Sequence, residues 1–369
     1  MKIRLLLCLF LPLASLGQTD KLASIVNEKI TTESQNPVNS ILIYVERLND
    51  NTVLNQGFGL RNIASEPALK NDRFRIASAT KTFVATIILQ LIEEGKISLN
   101  TKVSKYLNTI DYLDFKNFHR LNRKSYSNKI TIEQLLSHRT GLADIFTDKE
   151  EDFFNLVLQN TQQQYTPKDI VKLYYQFGLN TLPHFKPGKG WSYSDMNYVI
   201  LGLIVESIDK RSLAESIRSR ILNPLKMENT FFEFYESPTK NDNMIHQYIG
   251  DIDMTEINTS FDWAGGGLVS NNIDLAKFIK ALFDFKLIDE SSLNKMIDVQ
   301  FTKEQENRYG LGVYESKYNG DIYYGHYGFY GTYIGFCPER RIVISYCISQ
   351  VETNFNAYSF INDVLKLTE

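Results

Sequence analysis

Strand-like patterns lie at both ends of this 369-residue chain, and helical patterns fill its middle. Residues 39–62 read as two strands around a polar turn. From about residue 106 to 250 the apolar residues recur mostly at helical spacing. After a further helix at about 273–284 the pattern alternates again, and a last helix follows. A sheet formed from both ends of a chain must carry the middle as an insertion.

We therefore predict one α/β domain built from residues 18–105 and 255–369, with a mostly helical insert at residues 106–254. With 43% hydrophobic and 22% charged residues, the composition is that of a globular protein and excludes a disordered chain. The net charge of −3 and the lack of a long basic run argue against nucleic acid as a partner.

The first residues have the pattern of an export signal. Lys2 and Arg4 precede a short apolar stretch, and small residues follow up to Gly17. This pattern predicts a signal peptide at residues 1–17. The apolar stretch has about half the roughly 20 residues that a membrane-spanning helix needs. We expect an exported, soluble protein, periplasmic or secreted, without stable membrane insertion.

Two cysteines follow the predicted signal peptide, and they flank the predicted turn PERR at residues 338–341. If Cys337 pairs near Ile342 across this hairpin, Cys347 faces about Thr332. The two sulfurs then lie about 16 Å apart along the sheet. This separation is too large for a disulfide, and we expect two buried free thiols without a chemical role.

One lysine interrupts the apolar helix predicted after Ala79, in the stretch RIASATKTFVATII. A buried ammonium costs several kcal/mol unless it is paired or neutralised. Three residues along a helix return to nearly the same face, so Lys81 can reach the hydroxyl of Ser78. A serine hydroxyl becomes a good nucleophile when a neighbouring group takes its proton. The structural alternative is that Ser78 caps the helix and Lys81 extends to the surface.

The S-x-x-K spacing alone is a weak signal, because it occurs four times in the chain. The other three pairs lie in polar or surface contexts: Ser207/Lys210, Ser237/Lys240 and Ser292/Lys295. Only Ser78 opens a long helix that is apolar on most faces, as a buried helix is.

Further stretches, in the same order, resemble the serine β-lactamase and penicillin-binding superfamily. The resemblance is closest to its class C β-lactamase, DD-peptidase and esterase branch, and it runs from about Ile41 to Ser349. The stretches include LIEEGKISLNTKVSKYL, ITIEQLLSHRTGL, PGKGWSYSDMNYVILGLIVE, AGGGLVSNNIDLAKF and YYGHYGFYGT. The resemblance implies a β-lactamase/transpeptidase-like fold with an antiparallel sheet flanked by helices. It also implies an acyl-enzyme on Ser78 and no cofactor or metal.

The resemblance assigns the second motif, Y-x-N, to YSD at residues 193–195. Tyr193 is then a general base, or a proton relay with Lys81, and Asp195 takes the position of the Asn. An acid beside Lys81 favours the charged ammonium, which would leave more of the base role to Tyr193. A literal YSN at residues 126–128 stands out of family order, and we interpret it as a chance match.

The third motif, K-T-G or H-x-G, corresponds to His326-Tyr327-Gly328. Gly328 would let substrate approach the strand edge closely. By resemblance, the N–H groups of Ser78 and Phe329 form the oxyanion hole. The remaining histidines show no metal-ligand spacing, and Gly265–Gly267 suggest either a tight backbone passage beside the site or a simple turn.

The departures from the family motifs make the site more negative by about two charge units, because a mostly neutral His replaces Lys and Asp replaces Asn. Tyr327 also replaces the Thr that helps to hold a substrate carboxylate. We therefore expect weak β-lactam turnover.

The leading hypothesis is an exported serine hydrolase acting on D-Ala-D-Ala-type peptides or β-lactam-like substrates. The alternatives are a carboxylesterase for neutral esters and a penicillin or wall-fragment sensor that acylates without turnover. The expected partner is a small molecule or a peptidoglycan peptide. The sequence leaves open the substrate, the oligomeric state, and whether Lys81 or Tyr193 is the base.

Overall fold

The computed structural model describes residues 14–31, 36–62, 66–237, 243–302 and 308–368. Residues 1–13 of the predicted signal peptide therefore lie outside the described residues, and its export role stays a prediction. In the described part of the chain, no helix combines the length and apolar character needed to cross a membrane.

The strands fall into one six-stranded sheet, one three-stranded sheet and two short hairpins. In chain order they are β1 (Ser40–Arg47), β2 (Thr52–Gly59), β3 (Phe74–Arg75), β4 (Arg120–Leu121), β5 (Lys124–Ser125), β6 (Phe231–Phe232), β7 (Tyr248–Ile249), β8 (Ile252–Asp253), β9 (Leu268–Ser270), β10 (Tyr314–Tyr318), β11 (Asp321–Gly328), β12 (Thr332–Cys337) and β13 (Ile342–Ile348).

The α-helices concentrate between the two groups of long strands. In chain order they are α1 (Ala14–Asn27), α2 (Thr80–Glu93), α3 (Ser104–Leu107), α4 (Ile132–Leu136), α5 (Ile145–Asp148), α6 (Glu150–Gln159), α7 (Pro167–Gln176), α8 (Asp195–Asp209), α9 (Leu213–Ile217), α10 (Trp263–Gly266), α11 (Asn272–Phe283), α12 (Glu290–Met296) and α13 (Ala357–Lys366).

The large sheet joins the two ends of the chain. Its order is β10-β11-β12-β13-β1-β2, and each neighbouring pair is antiparallel. The central pairing sets Ile43 of β1 opposite Tyr346 of β13. One face packs on residues of α1 and α13, and the other on the core that contains α2, α8 and α11. The predicted fold class, an antiparallel sheet flanked by helices, is confirmed. The division into a domain and an insert stays a prediction.

The hairpin that carries the cysteines has the expected register. Cys337 lies opposite Ile342, and Cys347 lies opposite Thr332. Both thiols are free and buried, as predicted.

Helix α2 is buried on nearly all sides, which explains its apolar sequence. Its residues from Thr80 to Leu89 are all buried, and Phe83 stacks on Phe278 of α11 with ring centroids 3.7 Å apart. Helices α8 and α10 also contact α2. The first turn of α2 and the start of α8 therefore meet inside the molecule.

Candidate active site

Ser78 lies in a tight 3₁₀ turn, Ala77–Ala79, directly before α2. Ala77 has a left-handed backbone, with φ of 44°, which turns the chain sharply before the serine. The carbonyl of Ile76 accepts hydrogen bonds from the Ala79 N–H and the Thr332 hydroxyl. This turn is therefore held against β12, and Ser78 remains partly exposed at the head of α2.

Lys81 is fully buried, with 0% of its surface exposed, and it is paired. Its ammonium donates to Ser78 Oγ at 2.8 Å, Asp195 Oδ1 at 2.5 Å and the Gly265 carbonyl at 2.8 Å. These three acceptors match the three N–H donors of an ammonium. The geometry explains why a buried helix keeps a lysine, and it excludes the alternative in which Lys81 extends to the surface.

Gly265 makes this arrangement possible. A methyl group at this position would lie 2.5 Å from Asp195 Oδ1 and 3.5 Å from Lys81 Nζ. No side chain fits there without displacing the carboxylate. Of the two sequence interpretations of this glycine run, the structure supports a tight backbone passage at Gly265.

Tyr193 lies beside both groups. Its ring centroid is 5.0 Å from Lys81 Nζ, and its hydroxyl is near enough to Ser78 for the serine to affect its pKa. Burial, and then the charge of Asp195, raise the pKa of Tyr193 well above its usual value, while the neighbouring Ser78 hydroxyl acts in the opposite direction. A phenol with a raised pKa keeps its proton. This electrostatic environment suits a proton donor better than a general base; both roles that the resemblance allows for Tyr193, general base and proton relay with Lys81, stay predictions.

His138 supports Tyr193, and sequence reasoning missed this role. Its ring stacks on Tyr193 at 4.2 Å, and its Nδ1 accepts from the Ser194 N–H at 3.2 Å and the Asn197 amide at 3.0 Å. Burial holds the pKa of His138 well below its usual value. A neutral, fixed imidazole therefore orients the YSD segment. His138 lies in the stretch ITIEQLLSHRTGL, which resembles the family, and this was the one sequence feature that could have indicated the supporting role.

His326 is close to the site but does not line the cleft beside Ser78. It is 1% exposed; Nδ1 donates to the Tyr327 carbonyl at 2.6 Å, so Nε2 accepts from the Tyr309 hydroxyl at 2.9 Å. Burial, and then the charge of Lys81, lower the pKa of His326 to about 3. His326 therefore lies near the Ser78 group as a buried, hydrogen-bonded side chain, and its predicted contact with substrate stays a prediction.

At position 328, the close packing of the backbone explains why the residue is a glycine. A methyl group there would lie 2.2 Å from the Ile76 carbonyl oxygen and 2.1 Å from Thr332 Oγ1. The glycine therefore lets β11 pack against the turn before Ser78, and the approach of substrate to the strand edge at this residue stays a prediction. Phe329, the next residue, is 53% exposed and lines the cleft. The role of its N–H in an oxyanion hole stays a prediction.

A cleft of about 340 Å³ opens beside Ser78, and two acids that sequence reasoning missed line it: Asp144, which is buried, and Asp262, which is partly buried. Asp144 caps α5 by accepting from the Phe146 N–H at 2.7 Å, and its other oxygen accepts from the Asp195 N–H. Asp262 accepts from the Tyr330 hydroxyl at 2.9 Å. Burial is the main reason that the pKa of each is raised to about 7, and the charge of Asp195 adds to it.

Replacing Asp262 by asparagine is expected to stabilise the protein more at pH 8 than at pH 5. Because the pKa is raised from 3.8 to about 7, the folded state binds more protons between these values, and the cost of the buried charge grows as the pH rises. A neutral amide at this position would remove that cost. Thermal unfolding at both pH values measures it, with Asp111→Asn, an exposed change of equal charge, as control. Equal gains at both pH values would contradict the assignment.

Outside the cleft, one group among the described residues could hold a metal ion: His246, Asp253 and Glu256. His246 Nδ1 lies 2.6 Å from Asp253 Oδ2, and this bond raises the pKa of His246. The imidazole–carboxylate pair accounts for the proximity of the first two side chains, and we assign no chemistry to the group.

The chain belongs to the Beta-lactamase family, whose profile matches residues 45–363. Protein flp of Staphylococcus aureus is 28% identical over 236 residues, which cover 63% of this chain and 43% of that protein. The match thus spans less than half the length of that relative.

Solved structures agree with the fold. A D-stereospecific amidohydrolase from Streptomyces sp. has a TM-score of 0.76 at 24% identity, covering 92% of this chain and 97% of that one. The octameric penicillin-binding protein homologue from Pyrococcus abyssi also has a TM-score of 0.76, at 26% identity, covering 95% and 78%. Both likenesses run over nearly the whole of this chain.

Proposed function

We propose that this protein hydrolyses amides or esters through an acyl-enzyme on Ser78. The observation that carries the proposal is the position of Lys81 Nζ, which contacts the serine hydroxyl and a carboxylate at the same time. A nucleophile in contact with a base, which a third group orients, is the general arrangement for acyl transfer.

The proton path follows from the contacts. Lys81 passes one proton to Asp195 as it receives the proton of Ser78, and Ser78 Oγ attacks the carbonyl carbon. Tyr193 gives its proton to the leaving amine or alcohol. Water then attacks the acyl-enzyme and returns a proton to Tyr193, while the proton held by Lys81 and Asp195 returns to Ser78. The N–H groups of Ser78 and Phe329 would stabilise the oxyanion in both steps, typically by about 3–4 kcal/mol for each donor.

Replacing Asp195 by asparagine is expected to move the basic limb of the pH–rate profile to lower pH. The Asp195 charge helps to raise the pKa of Tyr193, so its removal lowers that pKa, and Tyr193 loses its proton earlier as pH rises. The profile of kcat/KM against pH measures the limb. An unchanged limb would count against Tyr193 as the proton donor.

The charge of the cleft favours substrates without a carboxylate beside the reacting carbonyl. Four acids line it, with no lysine or arginine among the described lining residues: Asp144, Glu150, Asp195 and Asp262. β-Lactams and D-Ala-D-Ala termini both carry a carboxylate, so these substrates, predicted from the sequence, fit the cleft less well than neutral ones. The Streptomyces neighbour, named a D-stereospecific amidohydrolase, is consistent with amide substrates.

At pH 8, above the pKa of about 7 of Asp144 and Asp262, we expect a penicillin and a cephalosporin to be turned over at least about tenfold more slowly, in kcat/KM, than a neutral ester, because like charges in a low-dielectric cleft repel. Steady-state rates with purified protein measure this. Faster β-lactam hydrolysis would contradict the electrostatic argument.

The described lining residues of the cleft include no lysine or arginine, which also favours the carboxylesterase alternative. The sensor alternative requires that the acyl-enzyme is not hydrolysed. Burst kinetics separate them. Steady turnover of short-chain esters without turnover of peptides supports an esterase. A stoichiometric burst without a steady state supports a sensor.

We also propose export, because Lys2, Arg4 and the apolar stretch after them form a signal pattern. Expression of the full chain with N-terminal sequencing of the exported product tests it. We expect the mature chain to begin at Gln18, and an uncleaved intracellular product would contradict export.

A further inference from the structure

We propose that this protein binds the anionic headgroups of a lipid membrane through a basic surface formed by residues 116–129 and 184–190. The first of these segments includes the β4–β5 hairpin. The inference is independent of the chemistry proposed for Ser78, because none of the cations that carry it lines the cleft. These cations are Lys116, Arg120, Arg123, Lys124, Lys129, Lys186 and Lys189.

Charge is strongly segregated at the basic surface. The two segments carry seven of the 40 Lys and Arg residues and none of the 43 Asp and Glu residues, in a protein whose net charge is −3. Arg120 is partly exposed, and the other six cations are exposed. Clusters of this size attract anionic lipids, because each charge adds to the field at the surface.

Contacts within the protein hold the two segments side by side. His119 Nε2 lies 2.9 Å from the carbonyl oxygen of Phe185. The ammonium of Lys186 lies 5.5 Å from the centroid of the Tyr126 ring. The seven cations therefore belong to one surface, although they come from two parts of the chain.

The cations of this surface are not neutralised within the protein. In the described part of the chain, none of the seven forms an ion pair with a carboxylate. The acids at the border of the surface have other partners. Asp114 accepts from the Asn117 amide at 2.8 Å, and Asp148 lies 2.9 Å from His184 Nε2. The positive charge is therefore available to an external anion.

The tip of the hairpin presents a cation at a cost to the backbone. Asn122 and Arg123 have φ of 50° and 65°. Two-residue hairpin turns with both φ values positive favour Gly, Asn or Asp, and an arginine in this conformation is strained. Because a glycine would relieve the strain, an external partner explains the charge of Arg123 better than the fold does.

An exposed apolar side chain beside the cations favours a lipid surface over a soluble polyanion. Leu182 is 50% exposed, and Asn180 donates to the Asn117 carbonyl, within the basic surface, at 2.9 Å. At a bilayer interface, cations contact the headgroups while apolar side chains enter the acyl boundary. Single-stranded nucleic acids stack their bases on aromatic rings, but the Tyr126 ring already contacts Lys186.

The test is co-sedimentation with vesicles of phosphatidylcholine alone and with vesicles that also contain phosphatidylglycerol. We expect the partition coefficient to be at least about tenfold larger with phosphatidylglycerol and to fall as salt is added, because salt screens the attraction. The triple variant Arg123→Gln/Lys124→Gln/Lys186→Gln should lose about 100-fold of this binding, since each cation near an anionic surface contributes about fivefold.

The matched control is Lys70→Gln/Lys295→Gln/Lys317→Gln, which removes three exposed cations from other parts of the fold. We expect it to bind the phosphatidylglycerol vesicles much more tightly than the first triple variant. Equal weakening in both variants would mean that only the net charge matters, and it would overturn the inference.

The wild-type protein supplies a second test, which does not depend on the folding of any variant. Binding to soluble inorganic polyphosphate without binding to phosphatidylglycerol vesicles would overturn the inference in favour of a soluble polyanion. Equal binding to the two kinds of vesicle would also overturn it. Neither result bears on ester or amide hydrolysis at Ser78, so the proposed function stands or fails separately.

Discussion

Replacing Lys81 by methionine is expected to lower kcat/KM by about 10³-fold or more. Methionine fills similar space but cannot take the proton of Ser78, and nucleophile activation is lost. The variant also leaves the Asp195 carboxylate without its partner at 2.5 Å, and breaking a buried pair costs about 3–5 kcal/mol of stability. Steady-state kinetics and thermal unfolding measure the two effects.

Two control variants separate chemistry from folding. Lys295→Met changes the lysine of another S-x-x-K pair, one on the exposed side of α12, and should leave kcat/KM unchanged. The double variant Lys81→Met/Asp195→Asn removes the uncompensated charge, so we expect it to regain stability but not activity. Recovery of activity in the double variant would show that Lys81 acts only by stabilising the fold.

Replacing Tyr193 by phenylalanine is expected to reduce kcat/KM by about 10²–10³-fold, the usual contribution of a positioned proton-transfer group. Phenylalanine keeps the stacking on His138 and removes only the hydroxyl next to Ser78. Kinetics with two esters of different leaving-group pKa measure the effect. If Tyr193 protonates the leaving group, the loss is larger for the poorer leaving group.

The matched control is Tyr126→Phe, in the YSN segment that copies the motif out of order. Tyr126 contacts the ring of His119 at a centroid distance of 6.0 Å and does not line the cleft. We expect no kinetic change. If Tyr126→Phe lowers kcat/KM as much as Tyr193→Phe does, the catalytic tyrosine was assigned to the wrong motif.

The fold and the centre of the candidate site were predictable because they depend on local patterns. Alternating and helical periods marked the elements, and the chain ends pair in β1 and β13 as the strand positions required. Ser78 and Lys81 are three residues apart on one helix turn, so their contact follows from helix geometry. Tyr193 and Asp195 could be placed because their segment matched the family pattern in order.

The remaining features arise from tertiary packing, which local patterns do not encode. Asp144 is 51 residues before Asp195 in sequence, and nothing around it predicts that its oxygen accepts from the Asp195 N–H. Likewise, a glycine in a strand indicates a close neighbour but not which one. At Gly328 the close neighbours include the Ile76 carbonyl, which the sequence did not predict.

The most direct test is peptide mapping by mass spectrometry after rapid quenching of the reaction with p-nitrophenyl acetate, together with the burst of nitrophenol. We expect one acetyl group per chain in the burst, located on Ser78, and none at that position in Ser78→Ala or Lys81→Met. A full burst that persists in Ser78→Ala, or a catalytically competent acetyl group on another residue, would contradict it.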